Sequence, residues 1–265
     1  MSEYALQLSD AELARYQFMA ESAARMEGSL WAEAGVAEGA AVADVGCGPG
    51  ATAGVLARLV GPSGRVVAVD RDATAVEAAR AAAERAGLEN VSVQLGEAHD
   101  TGIPPASVDV VMIRHVLAHN GGREETVVAH AASLVRPGGS VYLVDIEATA
   151  LRTRPSDPDL DDLAARYEEW HAQRGNDLSV GLRLGELLAG AGLETVNHQG
   201  RYQIFVPPPG MRPPSWAGRD ALVAAGLATE ADVERWSAAF ERIDRSETRP
   251  TMFVPLFFAF GRRPA

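Results

Sequence analysis

Lysine is missing from this chain of 265 residues, because all 24 positively charged side chains are arginines. Two kinds of chemistry depend on lysine: phosphate binding by the P-loop, and Schiff-base formation with a carbonyl substrate or pyridoxal phosphate. The composition therefore excludes P-loop nucleotide hydrolysis and pyridoxal-lysine catalysis.

Cysteine, net positive charge and long apolar runs are also scarce. Cys47 is the single cysteine, which excludes an intrachain disulfide and a cysteine-rich zinc site. The formal net charge is -12, so we expect no binding to nucleic acid. No apolar run approaches the roughly 20 residues that span a bilayer, and the first residues lack signal-peptide features. We expect a cytoplasmic monomer or homodimer with no membrane partner.

Short apolar runs alternate with helical patterns along most of the chain. Such alternation is typical of a parallel sheet with helices on both faces. The predicted strands are residues 42–45, 65–69, 91–95, 108–113, 141–146, 195–206 and 252–260. Pro255 in the last strand predicts that this strand lies at a sheet edge or contains a bulge.

The predicted fold class is α/β: a Rossmann-like, mostly parallel sheet of seven strands with helices on both faces. A helical cap precedes the sheet, and helical inserts follow strands five and six. Ser9 and Glu12 fit a capping box at the start of the cap helix. The expected units are the cap at residues 1–35, the core at 36–150, and the rest of the sheet with its inserts at 151–265.

A glycine-rich turn follows the first predicted strand. Gly46, Gly48 and Gly50 alternate here, and glycines let the backbone approach a ligand closely at a helix N-terminus. With an acidic residue about 20 positions further on, the turn also satisfies the dinucleotide-binding fingerprint. Asp44 favours a different ligand, since a carboxylate two residues before the first glycine would repel a pyrophosphate and attract a cation.

Asp44 and the three glycines resemble the first motif of the class I S-adenosylmethionine-dependent methyltransferases, an acidic residue followed by Gly-x-Gly-x-Gly. Within that family, the motifs are most similar to small-molecule enzymes akin to the ubiquinone and menaquinone C-methyltransferases. The resemblance covers residues 36–146 and the two closing strands. It implies S-adenosylmethionine as cofactor, S-adenosylhomocysteine as product, and in-line methyl transfer to a small aromatic or apolar acceptor in secondary or quinone metabolism.

The resemblance also assigns cofactor contacts. Asp44 would serve the ammonium group of the methionine moiety, and Asp70 would accept both ribose hydroxyls. Glu97 would accept from the adenine amine, whereas Arg114 would either hold the cofactor carboxylate or form an ordinary surface ion pair. The implied cofactor-binding residues are Asp44, Gly46, Cys47, Gly48, Gly50, Asp70, Arg71, Glu97, Ala98 and Arg114.

Motifs of other methyltransferase classes are missing from the sequence. No Asn/Asp-Pro-Pro-Tyr/Phe segment follows strand four, so a base-flipping site is not expected. Arg114 and His115 stand where catechol enzymes carry a metal-binding aspartate, so we expect no metal. The aspartates between 157 and 162 fit the solvated start of a helix rather than a metal site.

Two histidines after strand four, His115 and His119, are candidate catalytic bases. A base is needed only if the acceptor must lose a proton, and each histidine has an alternative role in packing or hydrogen bonding. Aromatic residues of the cap and inserts would line an acceptor pocket or pack their helices onto the sheet. The residues predicted to bind the substrate are Tyr16, Met19, His119, Trp170 and Tyr202.

Two other functions stay open at this point. A chain with intact cofactor motifs can perform non-methylating chemistry such as a cyclisation, or it can only sense the ligand. The overlap of the glycine motif with the dinucleotide fingerprint leaves an NAD(P)-dependent oxidoreductase as the less favoured alternative.

Overall fold

The computed structural model describes residues 10–265, with side chains described from Leu13 onward. The predicted capping box of Ser9 and Glu12 lies outside these residues and side chains. The helices are α1 Asp10–Ala34, α2 Ala51–Val60, α3 Ala73–Arg85, α4 Glu124–Leu134, α5 Pro158–Ala172, α6 Leu184–Gly190, α7 Pro214–Ala217, α8 Arg219–Ala224 and α9 Glu230–Arg245. The strands are β1 Ala41–Val45, β2 Arg65–Asp70, β3 Val91–Leu95, β4 Val108–Arg114, β5 Val135–Ile146, β6 Arg152–Arg154, β7 Glu194–Phe205 and β8 Thr251–Arg262.

The strands form one mixed sheet, which confirms the predicted α/β class. Its order is β3-β2-β1-β4-β5-β8-β6, and β7 pairs with β8. The first five strands are mutually parallel, whereas β8 runs antiparallel to its neighbours. All five residues of β1 are buried, because a central parallel strand is covered by helices on both faces. The carboxyl ends of β1–β5 therefore meet at one edge of the sheet, where ligands bind in such folds.

Two details of the sheet differ from the sequence expectations. The sheet has eight strands rather than seven, because the three-residue β6 pairs with the start of β8. The edge position predicted for β8 is wrong, since β8 lies between β5 and β7. Pro255 is tolerated there because pairing with β5 ends at Leu256 and pairing with β6 begins at Phe253. The residue without an N–H thus faces the gap between two strands.

Two clusters of buried apolar side chains cover the sheet, and a third cluster lies away from it. It contains Leu163 and Trp170 of α5, Leu222 of α8 and Trp236 of α9. Asp157 caps α5 by accepting a hydrogen bond from a backbone N–H, which confirms the predicted helix start. The aspartates there are not solvated as expected, because they pair with arginines of α9. We call the segment formed by α5, α7, α8 and α9 the insert lobe.

Ion pairs between α9 and the start of α5 also stabilise the insert lobe. Arg235 and Arg242 of α9 bind the carboxylates of Asp157, Asp159 and Asp162 at the start of α5. Hydrogen bonds from Arg235 and Arg242 lower the pKa of Asp159. Burial acts to raise the pKa of Asp162, but hydrogen bonds from Arg166, Arg235 and Trp236 together outweigh it and lower that pKa. Within residues 10–265, no helix is long and apolar enough to cross a membrane.

Candidate active site

A cavity of about 1240 Å³ lies at the carboxyl ends of the parallel strands. Residues that follow β1, β2, β3, β4 and β5 line one side of it. Residues of α1 and of the insert lobe line the other side. The turn motifs of the sheet and the aromatic residues of the helices therefore face a shared space.

Gly48 and Gly50 in the turn have different surroundings. Gly48 adopts φ 53°, and a Cβ there would lie 3.7 Å from Cε1 of Tyr16, on the cavity side. Gly50 adopts φ 83°, and a Cβ there would lie 2.9 Å from Cβ of Ala79 in α3. The left-handed backbone favours glycine at both positions, and at position 50 glycine also lets the start of α2 pack closely against α3.

Asp70 at the end of β2 is fixed by the backbone around it. Its Oδ2 accepts a hydrogen bond from the N–H of Gly48 at 2.8 Å, and its Oδ1 accepts from the N–H of Asp72 at 3.0 Å. An ionised carboxylate has about four lone-pair sites, so each oxygen retains acceptor capacity. The carboxylate is therefore held rigidly with one acceptor site left on each oxygen.

Asp44 is a buried carboxylate with an unsatisfied oxygen. It is 2% exposed, and its Oδ2 has no hydrogen-bond partner in the described part of the chain. Burial raises the pKa of Asp44 to about 7, Arg114 opposes this shift, and Asp70 adds to it. A buried acceptor that lacks a partner is costly. Asp44 therefore fits a ligand that brings a cationic donor such as an ammonium group.

Arg114 at the end of β4 is neutralised within the protein. It forms a buried ion pair with Glu27 of α1. Oε2 of Glu27 also accepts from Nε1 of Trp31 and from the hydroxyl of Tyr142, each at 3.1 Å. Arg114 lines the cavity, but its charge is already balanced by Glu27. Arg114 thus forms an ion pair, but the pair is buried rather than at the surface as the sequence analysis expected, and it joins α1 to the sheet.

His115 and His119 follow β4 and are neutral at physiological pH. Burial lowers the pKa of each imidazole to about 3. His115 has a left-handed backbone, with φ 55°, which is uncommon for a residue with a side chain and is often found at functional sites. Both residues line the cavity.

An aromatic cluster joins the insert lobe to the turn after β4. The ring centroid of His171 lies 4.4 Å from that of Tyr167, 4.7 Å from that of Trp170 and 4.9 Å from that of His119. Three of these residues belong to α5, and the fourth belongs to the short turn Leu117–His119. The cluster forms a wall of the cavity.

The cavity brings together fourteen of the residues expected at the site. They are Tyr16, Met19, Asp44, Gly46, Cys47, Gly48, Asp70, Arg71, Glu97, Ala98, Arg114, His115, His119 and Trp170. Gly50 and Tyr202 do not line it, and Tyr202 is 55% exposed on β7.

Burial raises the pKa of the Cys47 thiol, so this thiol is protonated at neutral pH and is a poor nucleophile.

Two residues of the site were missed by the sequence analysis. Glu27 lies in the cap helix and meets Arg114 across 87 positions of sequence. Asn176 follows α5 and contacts His171 and Gly121. Neither residue belongs to a motif.

Among the residues that the structure describes, no group of three or more His, Cys, Asp or Glu is arranged to hold a metal ion.

Comparisons with known proteins agree with this geometry. A family model described as a methyltransferase domain matches residues 37–187. Nocamycin O-methyltransferase of Saccharothrix syringae is 41% identical over 100 residues, which are 38% of this chain and 35% of that protein. The chain spans about a third of the length of the curated relatives it matches.

Solved structures share the fold at low sequence identity. A putative methyltransferase from Bacillus halodurans superposes with a TM-score of 0.61 and 20% identity, covering 91% of this chain and 100% of that one. The [4+2]-cyclase SpnF gives a TM-score of 0.58 and 19% identity, with 92% and 82% covered. Since the family model covers more than half of the chain, the protein belongs to the methyltransferase-domain family and is a class I, S-adenosylmethionine-dependent member.

Proposed function

We propose that this protein transfers a methyl group from S-adenosylmethionine to a small, apolar or aromatic acceptor. One observation carries the proposal: the cofactor motifs and the aromatic residues of α5 line the same cavity. The two groups meet where the ring centroids of His119 and His171 lie 4.9 Å apart. In this proposal residues 36–150 supply the cofactor side. Residues 1–35 and the inserts within 151–265 supply the acceptor side.

The cofactor half of the cavity fits the chemical groups of S-adenosylmethionine. Asp44 offers its unpaired oxygen to the ammonium group, and Asp70 offers one acceptor site on each oxygen to the ribose hydroxyls. Gly48 and Tyr16 lie beside each other in the cavity lining. Arg71, Glu97 and Ala98 lie on the same wall. These roles remain predictions from the family resemblance, supported by the positions of the side chains.

The weak basicity of His115 and His119 limits which acceptor groups can be methylated. The bound cofactor supplies an electrophilic methyl group on a positively charged sulfur, and the protein supplies orientation and exclusion of water. His115 and His119 are poor bases, because burial lowers the pKa of each to about 3. We therefore propose an acceptor that ionises readily by itself, such as a phenol or an enol. Its oxygen or carbon then takes the methyl group, while the electrons of the broken S–C bond stay on sulfur.

Mass spectrometry tests this function. Purified protein is incubated with S-adenosylmethionine and a panel of phenols and enolisable ketones. The proposal predicts a product in which a methyl group replaces one hydrogen, together with an equal amount of S-adenosylhomocysteine. An isomerised product with no S-adenosylhomocysteine would instead establish a cyclisation, the alternative that the fold shared with SpnF keeps open.

The affinity for S-adenosylhomocysteine should depend on pH through Asp44. Its pKa in the protein without ligand is about 7, so the carboxyl is mostly protonated below that pH. An ammonium group binds the ionised form, so binding releases a proton below pH 7. We expect the affinity to fall about tenfold for each pH unit below 7 and to be constant above it.

Isothermal titration between pH 5 and pH 8.5 measures this dependence. The matched control is Asp44→Asn, which keeps the size of the side chain but cannot ionise. It should bind more weakly at pH 8, with an affinity that no longer follows pH. A wild-type affinity that is the same at pH 5.5 and pH 8 would show that Asp44 does not bind the ammonium group.

A further inference from the structure

A partly buried arginine on the acceptor side of the cavity lacks a hydrogen-bonded counter-charge. Arg249 stands just before β8, lines the cavity, and has a side chain that is 17% exposed. Its Nε is shielded from solvent and has no hydrogen-bond partner in the described part of the chain. A guanidinium has five N–H donors and keeps its charge in proteins. Such a group is costly to bury unless an acceptor of opposite charge joins it.

The carboxylate beside Arg249 is already engaged by other donors. Oδ2 of Asp244 accepts a hydrogen bond from Nη2 of Arg212 at 2.7 Å, and Oδ1 accepts from the N–H of Gly210 at 3.1 Å. Oδ1 lies 4.0 Å from Nη2 of Arg249, which is beyond hydrogen-bond distance. Two guanidinium groups thus share one carboxylate, so the cluster of Arg212, Asp244 and Arg249 has one net positive charge. All three residues line the cavity.

Apolar side chains lie around this cluster. The guanidinium carbon of Arg212 is 4.5 Å from the ring centroid of Phe240. Phe205 and Met252 pair across β7 and β8 and also line the cavity. A charge in such surroundings is weakly screened, so it attracts an anion more strongly than a surface arginine does. The cluster is therefore a local positive site in a chain whose formal net charge is -12.

Arg249 lies well beyond the sheet edge that carries the cofactor motifs. Ile146, the last residue of β5, pairs with Leu256, and β8 extends past this edge to Thr251. At about 3.4 Å per residue, this extension spans about 17 Å. The cavity thus has a cofactor end at the sheet edge and a positively charged end near Arg249, and an elongated acceptor can lie between them.

We propose that Arg249 binds a carboxylate of the methyl acceptor and thereby selects an acidic acceptor. The planar guanidinium matches the two oxygens of a carboxylate. Arg212 adds positive charge beside it, and Asp244 positions both arginines. This assignment deepens the proposed function and rests on it: the acceptor is an apolar or aromatic acid with its carboxylate at Arg249 and its phenol or enol oxygen at the cofactor.

A matched pair of probes tests the selectivity. 6-Hydroxy-2-naphthoate carries a phenol at one end and a carboxylate at the other, and 6-hydroxy-2-naphthamide replaces the carboxylate with a neutral amide. Each is titrated by calorimetry at pH 7.5 into wild-type protein saturated with S-adenosylhomocysteine. We expect the acid to bind about tenfold more tightly than the amide, because only the acid forms a charge-assisted pair with the guanidinium.

Arg249→Met removes the charge and keeps an unbranched apolar stem. It should bind the acid and the amide equally, while its affinity for S-adenosylhomocysteine stays that of the wild type. Arg249→Lys restores the charge without the planar fork and should recover part of the preference for the acid. Arg154→Met is the matched control, since Arg154 also lines the cavity but has an exposed side chain. It should retain the wild-type preference.

The contact is also measured directly in the wild-type protein. The full chain is labelled with 15N-arginine, and the Nε–H signal of Arg249 is assigned by its loss in Arg249→Lys. We expect a saturable shift of this signal with 6-hydroxy-2-naphthoate and none with the amide. This readout does not depend on how well any variant folds.

Equal binding of acid and amide to the wild type, no binding of the acid, or the same preference in Arg249→Met as in the wild type would overturn the proposal. These results are separable from the proposed function. A protein that binds S-adenosylhomocysteine and methylates neutral and acidic phenols equally retains methyl transfer and loses the carboxylate site. A protein that prefers the acid through Arg249 but forms no S-adenosylhomocysteine retains the carboxylate site and loses methyl transfer.

Discussion

Replacing Asp70 with alanine is expected to lower the affinity for S-adenosylmethionine by about 100-fold or more. The substitution removes both acceptors proposed for the ribose hydroxyls and also releases the N–H groups of Gly48 and Asp72. Hydrogen bonds to a charged group contribute about 1.5–3 kcal/mol each. Loss of two such bonds, partly compensated by water, amounts to about 3 kcal/mol, which corresponds to about 100-fold in the dissociation constant.

Equilibrium dialysis with labelled S-adenosylmethionine measures this loss. Asp72→Asn is the matched control, because its side chain lies at the same turn but caps α3 by accepting from the N–H of Thr74, and asparagine retains that acceptor. It should bind nearly as the wild type does. An Asp70→Ala protein with unchanged affinity and an unchanged melting temperature would show that the ribose assignment is wrong.

Replacing Glu27 with alanine is expected to destabilise the protein by about 3–5 kcal/mol. Glu27 is 1% exposed, and its carboxylate neutralises Arg114 while accepting from Trp31 and Tyr142. Alanine leaves the guanidinium of Arg114 partly buried without its counter-charge and two donors without an acceptor. Breaking a buried ion pair in this way costs far more than removing a surface pair.

Urea unfolding measured by tryptophan fluorescence gives the free energy of unfolding for the comparison. Tyr142→Phe is the control, since it removes one of the three donors and leaves the ion pair intact, at a cost of about 1 kcal/mol. The interpretation of Glu27 as the anchor of α1 predicts a clear excess for Glu27→Ala. A loss no larger than that of Tyr142→Phe would contradict it.

The central part of the fold was predictable because its signals are local. β1 and β4 are short, mainly apolar runs, interrupted by Asp44 in β1 and by Asp109 in β4, as expected for strands buried on both faces. The glycine turn adjoins the strand it follows, so Asp44 and Gly48 could be placed from their spacing alone. Asp70 was assigned from the resemblance to the methyltransferase family, and the structure places it at the end of β2, in the cavity lining.

The rest depends on contacts between distant parts of the sequence. Glu27 meets Arg114 only because α1 packs across β4 and β5, and no local pattern records that packing. Asn176 contacts His171 and Gly121 only because the loop after α5 brings it to Gly121, 55 positions earlier in the chain. The interior position of Pro255 depends on where the neighbouring strands β5 and β6 stop. Such features follow from tertiary packing, which overrides local preference.

Isothermal titration of the wild-type protein with S-adenosylmethionine tests the central claim most directly. The cavity that combines Asp44, Asp70 and the glycine turn should give a single saturable site, and S-adenosylhomocysteine should compete for it. Absence of heat with both ligands, together with saturable binding of NADH to the same protein, would contradict a methyltransferase and revive the dinucleotide interpretation of the glycine turn.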